Sequence, residues 1–262
     1  MQYSIELISA SDVLTVESVS SFIGRIHGAF ATASEGVHKF VAKLTQDKDT
    51  LTPVMPVEKK LMEVNWPTFS EQFMLVPEGL ERGLDKLAVT VGDKGEWLLK
   101  DYMEVLQLLN TTIDRAIAGT VVPVTELQSK SENHGKHQLQ FMTEVSKCLG
   151  ISGKSHLLIR KVFNSPAQAT AWYKQTVGMS QMPVNQASID AYSAMLSTIA
   201  TKLATYGNMT VANHTNASIV QAQMISNLAL AIANQAEIVS TVTMLYMQNK
   251  NAALKFSKLV LG

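Results

Sequence analysis

Residues 211–248 read V-A-N-H-T-N-A-S-I-V-Q-A-Q-M-I-S-N-L-A-L-A-I-A-N-Q-A-E-I-V-S-T-V-T-M-L-Y-M-Q, and the fold is decided in this stretch. A solvated helix normally keeps a charged face. From Gly207 to Asn249 the one formally charged residue is Glu237. Asn, Gln, Ser and Thr alternate with Ala, Ile, Leu, Val and Met, so the segment is uncharged without being uniformly apolar. A helix of this composition is built to be touched on most sides. The partner is the rest of the chain, copies of the chain, or a lipid bilayer.

Two apolar series flank and fill this stretch. Ile189, Tyr192, Leu196, Ile199, Leu203 and Tyr206 recur at helical spacing, and so do Ile225, Leu228, Ile232, Gln235, Val239, Val242, Tyr246, Asn249, Ala253, Phe256 and Val260. A phase shift near Gly207-Asn208 separates them. It marks either the turn of an antiparallel hairpin or a stutter in one long helix, and the spacing leaves both open. A helix from Thr210 to Val260 would be about 75 Å long at ~1.5 Å per residue, which suits a stalk, a bundle or an oligomer. Gln235 and Asn249 fall on the seam, with Asn227 and Asn234 beside it. Buried amides of this kind set register and oligomer state at a cost in stability. The alternative is a wet face of a monomeric bundle.

Working outward, Val19, Phe22, Ile26, Phe30, Ala33, Val37, Phe40 and Leu44 outline a first helix, with Ser11 or Asp12 as its cap. Gly24 and Gly28 put two small residues on one face, open to a close helix neighbour; a bend near Gly36 is the alternative. Residues 50–80 read as an irregular arm, because Pro53, Pro56, Pro67 and Pro77 forbid a long helix; short strands are expected here. A helix follows from about Glu78 to Val89, then a turn at Gly92-Asp93-Lys94-Gly95. The next helix shows the stripe Trp97, Leu98, Tyr102, Val105, Leu109, Ile113 and Ile117, with Gly119 as its stop. Gly135 reads as a break before a helix from Lys136 to Leu149, and Ser165-Pro166 as the start of another that ends near Gly178. The expected fold is mainly α: a multi-helix bundle with a long C-terminal helical hairpin or coiled coil. Residues 1–182 form the helical region with its proline-broken arm, and 183–262 the low-charge hairpin.

The totals exclude several functions. Lys plus Arg and Asp plus Glu number 22 each, and the basic residues are scattered, so charge gives no case for binding nucleic acid or an anionic surface. Zero net charge does little to oppose self-association. One cysteine, Cys148, rules out an intrachain disulfide; a buried thiol is expected. Met1 to Asp12 carries two acids and no base, unlike a signal peptide. No run reaches the ~18 consecutive apolar residues of a standard transmembrane helix. The N-x-S/T triplets at Asn110, Asn208, Asn213 and Asn216 follow from an Asn/Thr-rich composition.

Candidate chemistry is sparse. Gly150-Ile151-Ser152-Gly153-Lys154-Ser155 matches the end of a phosphate-binding loop, but Cys148 stands where that pattern needs its first glycine, and a helix rather than a strand is expected before it. A flexible loop is the favoured reading; an enzyme using it would lose nucleotide binding on Lys154→Ala. His134 and His137 flank Gly135 without a third ligand in a recognisable pattern, and read as a solvated turn rather than a metal site. Asp101, Glu104 and Asp114 read as ordinary surface acids. No nucleophile elbow or H-E-x-x-H occurs. No catalytic, cofactor-binding or metal-binding residue is assigned.

Leu14-Thr15-Val16-Glu17-Ser18-Val19-Ser20-Ser21-Phe22-Ile23-Gly24-Arg25-Ile26 resembles the openings of virion and internal-head structural proteins of large tailed bacteriophages. The uncharged helical C-terminus is similar in style. The resemblance implies a structural or ejected protein without an active site, placed in a virion or in the host cytoplasm. The expected function is a non-enzymatic assembly protein whose partner is itself or other structural proteins. Its expected contact residues are Phe22, Ile26, Phe30, Ile225, Leu228, Ile232, Gln235, Val239, Val242 and Tyr246. The alternative is a soluble protein that inserts its uncharged helices into a membrane.

Overall fold

The structure, a computed structural model, describes residues 24–36, 50–150, 153–179, 186–213 and 216–262, with side chains left out at 186–189, 210–213 and 216–218. The chain is mainly α. Helix α1 covers 24–36. Helices α2 (Val54–Glu63) and α3 (Trp66–Phe69) lead to strand β1 (Phe73–Leu75) and helix α4 (Leu84–Val89). A π-helical segment, Thr90–Gly95, runs into α5 (Glu96–Ile117), followed by α6 (Thr125–Cys148), β2 (His156–Leu158), α7 (Ile159–Val162) and α8 (Pro166–Met179). The chain ends in α9 (Gln186–Asn213), α10 (Asn216–Gln235) and α11 (Glu237–Leu261).

Helices α5, α6, α9 and α10 form a four-helix bundle, each packed on two neighbours in the ring α6–α5–α9–α10. Their directions follow from the contacts. Leu99 and Asp114 of α5 meet Tyr192 and Lys202 of α9 in the same order, so the two run parallel. Tyr102 meets Ile232, and Thr120, beyond the end of α5, meets Gln221, so α10 runs the other way. Helices α9 and α10 are therefore antiparallel arms of a hairpin. Helix α11 follows α10 after one non-helical residue, Ala236, where i→i−3 bonds of 3.1 Å (Ala236 N–H to Ala233 O, Val239 N–H to Ala236 O) tighten the turn. It leaves the ring and packs on α2, β1 and α8.

The periodic stripes become the core. Leu98, Tyr102, Val105, Leu109 and Ile113 of α5 are buried, as are Leu196, Ile199 and Leu203 of α9. Trp97 of the α5 stripe lies outside the core and is about half exposed. Around α11, Phe69, Phe163, Trp172 and Phe256 form an aromatic cluster with ring centroids 5.2–6.3 Å apart, the spacing at which edge-to-face contacts add to area burial. Ile26 and Phe30 of α1 are fully buried, and the Ser34 hydroxyl lies 3.0 Å from the Ser193 hydroxyl of α9. Phe22, like Val19, Val37, Phe40 and Leu44, lies outside the described residues. Among the described residues nothing comes within 4 Å of a Cβ built on Gly24 or Gly28.

Four local expectations change. The arm at 50–80 is more regular than its prolines suggested: Pro53 is the N-cap of α2 and Pro56 sits in its first turn, where a missing N–H costs nothing. The expected short strand appears as β1, paired antiparallel with β2. The helix expected from Glu78 starts only at Leu84, because Gly79 and Gly83 take positive φ (77° and 71°). The turn at Gly92–Gly95 is instead helical, of π type, continuous with α4 and α5. Gly95 faces α11 so closely that a Cβ there would lie 2.9 Å from Val242 Cγ1. Gly135 breaks nothing: α6 runs straight through it.

Candidate functional site

Among the described residues, the side chains expected to touch a partner touch the chain's own core. Ile225, Ile232, Val239 and Val242 are at most 2 % exposed, Tyr246 is buried, and Leu228 packs partly buried against the same cluster. The low charge of this region has its explanation inside the molecule: α10 is a wall of the bundle and α11 is wrapped by the second half of the fold. Neither amide on the seam lies on a wet face. Gln235 donates from Nε2 to Ser131 O at 3.0 Å. Asn249, fully buried, donates to Leu245 O of its own helix at 2.9 Å. Asn227 and Asn234 are the exposed amides.

A polar cluster lies where α5, α6 and α10 meet. His134 is no solvated turn residue. It is fully buried on α6, with Nδ1 2.8 Å from Asp101 Oδ2 of α5. Asp101 is correspondingly no free surface acid; its side chain is 17 % exposed. The imidazole packs against the Tyr102 ring at 5.3 Å, and the Tyr102 hydroxyl donates to Ile232 O at 3.0 Å. Tyr102 stacks on Tyr192 of α9, whose hydroxyl donates to Leu99 O. One turn along α6, Lys130 pairs with Glu104 at 2.5 Å and holds that carboxyl below its ordinary range.

Burial sets the protonation of this cluster. It pulls the His134 imidazole below its ordinary value, against the opposing pull of Asp101. It pushes the Tyr102 and Tyr192 phenols well up. Neutral His134 therefore donates from Nδ1 to Asp101, and its Nε2 lone pair is buried without a partner. Gln235 Oε1 is a second buried acceptor in the same condition. The cluster lies inside helix packing rather than in a cleft open to a substrate.

This cluster was readable in principle. Leu127, Ser131, His134, Gln138, Phe141, Val145 and Cys148 recur at steps of four and three, the period of a buried stripe. The polar members and the apparent break at Gly135 hid it.

A shallow cleft of about 450 Å³ lies between the π-helical segment and α8, with Asp93, Glu96, Lys174 and Gln175 at its rim and Met179 at its base. The phosphate-loop-like segment has the wrong surroundings: α6 precedes it and strand β2 follows. Its carbonyls are spent on the turn after β1, Val76 N–H donating to Ser155 O and Gly79 N–H to Lys154 O. Cys148 is a buried free thiol whose pKa is raised by desolvation. Among the described residues no group of three His, Cys, Asp or Glu side chains converges on one point. Comparison of the chain with family models, with curated proteins and with solved structures finds no match.

Proposed function

We propose that the chain is a non-enzymatic structural protein that self-associates within a larger assembly. Its opening segment and uncharged C-terminal helices make a phage virion the first setting to test. The observation that carries this reading is the outer face of the α9–α10 hairpin. Between Ala191 and Asn234 the single charged residue is Lys202, and it is turned to Asp114 of α5 at 2.6 Å. The exposed positions on α9 are small, and three threonines there fold their hydroxyls back on the helix: Thr198 to Ala194 O, Thr201 to Ser197 O and Thr205 to Thr201 O, at 2.8–3.1 Å. Their methyl groups are what remains to be contacted. On α10 the exposed stripe includes Val220, Met224 and Ala231.

A small, flat α9 surface beside a larger-residue α10 surface is self-complementary under two-fold symmetry, α9 of one copy meeting α10 of the other. The exposed arm of α9 is about 27 Å long at 1.5 Å per residue, a length that accommodates a standard interface of roughly 800 Å² per partner. Lacking charge, the face asks for no counter-ion from its partner, and a second copy supplies a matching uncharged surface. Light scattering across a concentration series tests this. The wild type is expected to form a defined oligomer. Ala194→Glu and Met224→Glu are expected to yield monomers with unchanged helical content. A wild type that stays monomeric at every concentration counts against the reading.

A second reading has its own observation. Ile219–Leu261 is long and apolar enough to cross a bilayer by length and composition, with a mean hydropathy of 1.4 over its most apolar window. Half of that window is buried within the fold, so insertion would require α10 and α11 to leave it. Release of dye from lipid vesicles tests this, since a purely structural protein releases none.

A further inference from the structure

We propose that His134 is a proton-operated latch: neutral, it seals α6 against α5 and α10, and protonated, it loosens α10 from the bundle. The argument starts from position. His134 is fully buried at the junction of three helices, and Gln235 of α10 is tied to Ser131 O and Ser131 Oγ one turn before it on α6. The imidazole has one polar partner, Asp101 Oδ2. Its Nε2 has none, and the free acceptor Gln235 Oε1 is not bonded to it.

The groups that face it decide the sign. From α5 come the Asp101 carboxylate and the Tyr102 ring; from α6, one turn on, His137, itself packed on Trp97. Behind Tyr102 stands Tyr192 of α9. Helix α10 brings no charged residue anywhere from Asn216 to Gln235. One carboxylate therefore faces an imidazolium that would be cut off from water and would carry a new buried N–H without an acceptor.

Desolvation outweighs Asp101, and the folded-state value lies below the ordinary 6.5. The unfolded chain then takes up the proton first as pH falls. Stability is fully present above the ordinary value and is lost progressively between it and the lower folded value. The α6–α10 seam is where the strain falls, because α10 brings no carboxylate to the imidazolium and its Gln235 amide is tied through Nε2 to Ser131 rather than to His134. In the setting proposed above, mild acid would free the uncharged helix, but the latch rests on the bundle alone and is tested without reference to assembly.

The test is amide hydrogen exchange of α6 and α10, corrected for intrinsic rates, at about pH 7.5 and about pH 5.5, on either side of the free imidazole value. In the wild type α10 is expected to exchange severalfold faster at the lower pH, because the open form takes up the proton that the closed form resists. In His134→Gln, which stays neutral and still offers Asp101 a donor, the difference is expected to vanish, while His137→Gln is expected to keep it. Equal acid acceleration in His134→Gln, or its loss in His137→Gln alone, overturns the latch. Should His134→Gln fail to fold, Asp101→Asn decides: without the carboxylate the imidazolium loses its counter-charge, so the acid acceleration of α10 exchange is expected to grow, and an unchanged acceleration overturns the proposal.

Discussion

Gly95 shows how much a single atom decides in this fold. It sits in the π-helical segment, where a Cβ would lie 2.9 Å from Val242 Cγ1 of α11, closer than two carbons pack. Gly95→Ala is expected to destabilise the protein by about 1–3 kcal/mol through overpacking, read as a lower denaturant midpoint at unchanged slope. Val242→Ala in the same chain is expected to recover part of that loss, although alone it opens a cavity. A pair of mutations that simply add would place the clash elsewhere. Ile232, fully buried and next to the carbonyl that receives the Tyr102 hydroxyl, is a second such position. Ile232→Ala should cost about 2–5 kcal/mol, and Ile232→Asp should abolish folding because an unpaired carboxylate cannot be buried there. The sequence marked both residues, one as a glycine and one as a seam position. It assigned Gly95 to a turn, because a glycine that admits a neighbouring helix and a glycine that bends the chain look alike.

At the scale of elements, α11 is the mast on which the second half of the molecule is hung. Phe256 touches Phe69, Phe163 and Trp172, which come from three separate parts of the chain, and Tyr173 of α8 donates to Thr52 O at 2.8 Å. Phe256→Ala is expected to cost about 3–5 kcal/mol and to loosen α3, α7 and α8 together, seen as joint loss of exchange protection in all three. Loss confined to α11 would mean that those elements hold one another without it. Helix α8 is also fastened to α4, through Gln168 Nε2 and Asp85 Oδ2 at 3.0 Å. The positions of α5, α9 and α11 are legible because each carries apolar residues at steps of three and four, interrupted in α11 by Asn249 alone. The first half of α6 is hard to read from sequence because Ser131 and His134 are polar residues at buried positions and Gly135 looks like a break.

For the whole molecule, the clearest consequence of burying phenols lies at high pH. Tyr102 and Tyr192 have folded-state values raised by desolvation well above the ordinary 10.0. The unfolded chain therefore releases these protons first, and the stability they contribute, complete below pH 10, falls as pH climbs past it. Among the six tyrosines, these two are expected to ionise only as the fold is lost, so their phenolate absorbance should appear together with the loss of helical signal. Early, independent titration of all six would show that water reaches the bundle interior.

The sequence alone determined that this chain is helical, where most of its long helices run, and that its C-terminal third is built to be covered, since period and composition are local properties that a single chain displays. Only the tertiary structure decided what does the covering. Those of the expected contact residues that the structure describes lie in or against the chain's own core, and the uncharged surface left outside is the opposite side of the hairpin. A helical period says that one side of a helix is buried but carries no information about against what, because apolar burial is non-directional and scales with area rather than with the identity of the neighbour. The His134–Asp101 pair came to light only in three dimensions for the same reason. Thirty-three positions separate its members in sequence, and it is the antiparallel packing of α5 on α6 that sets them 2.8 Å apart.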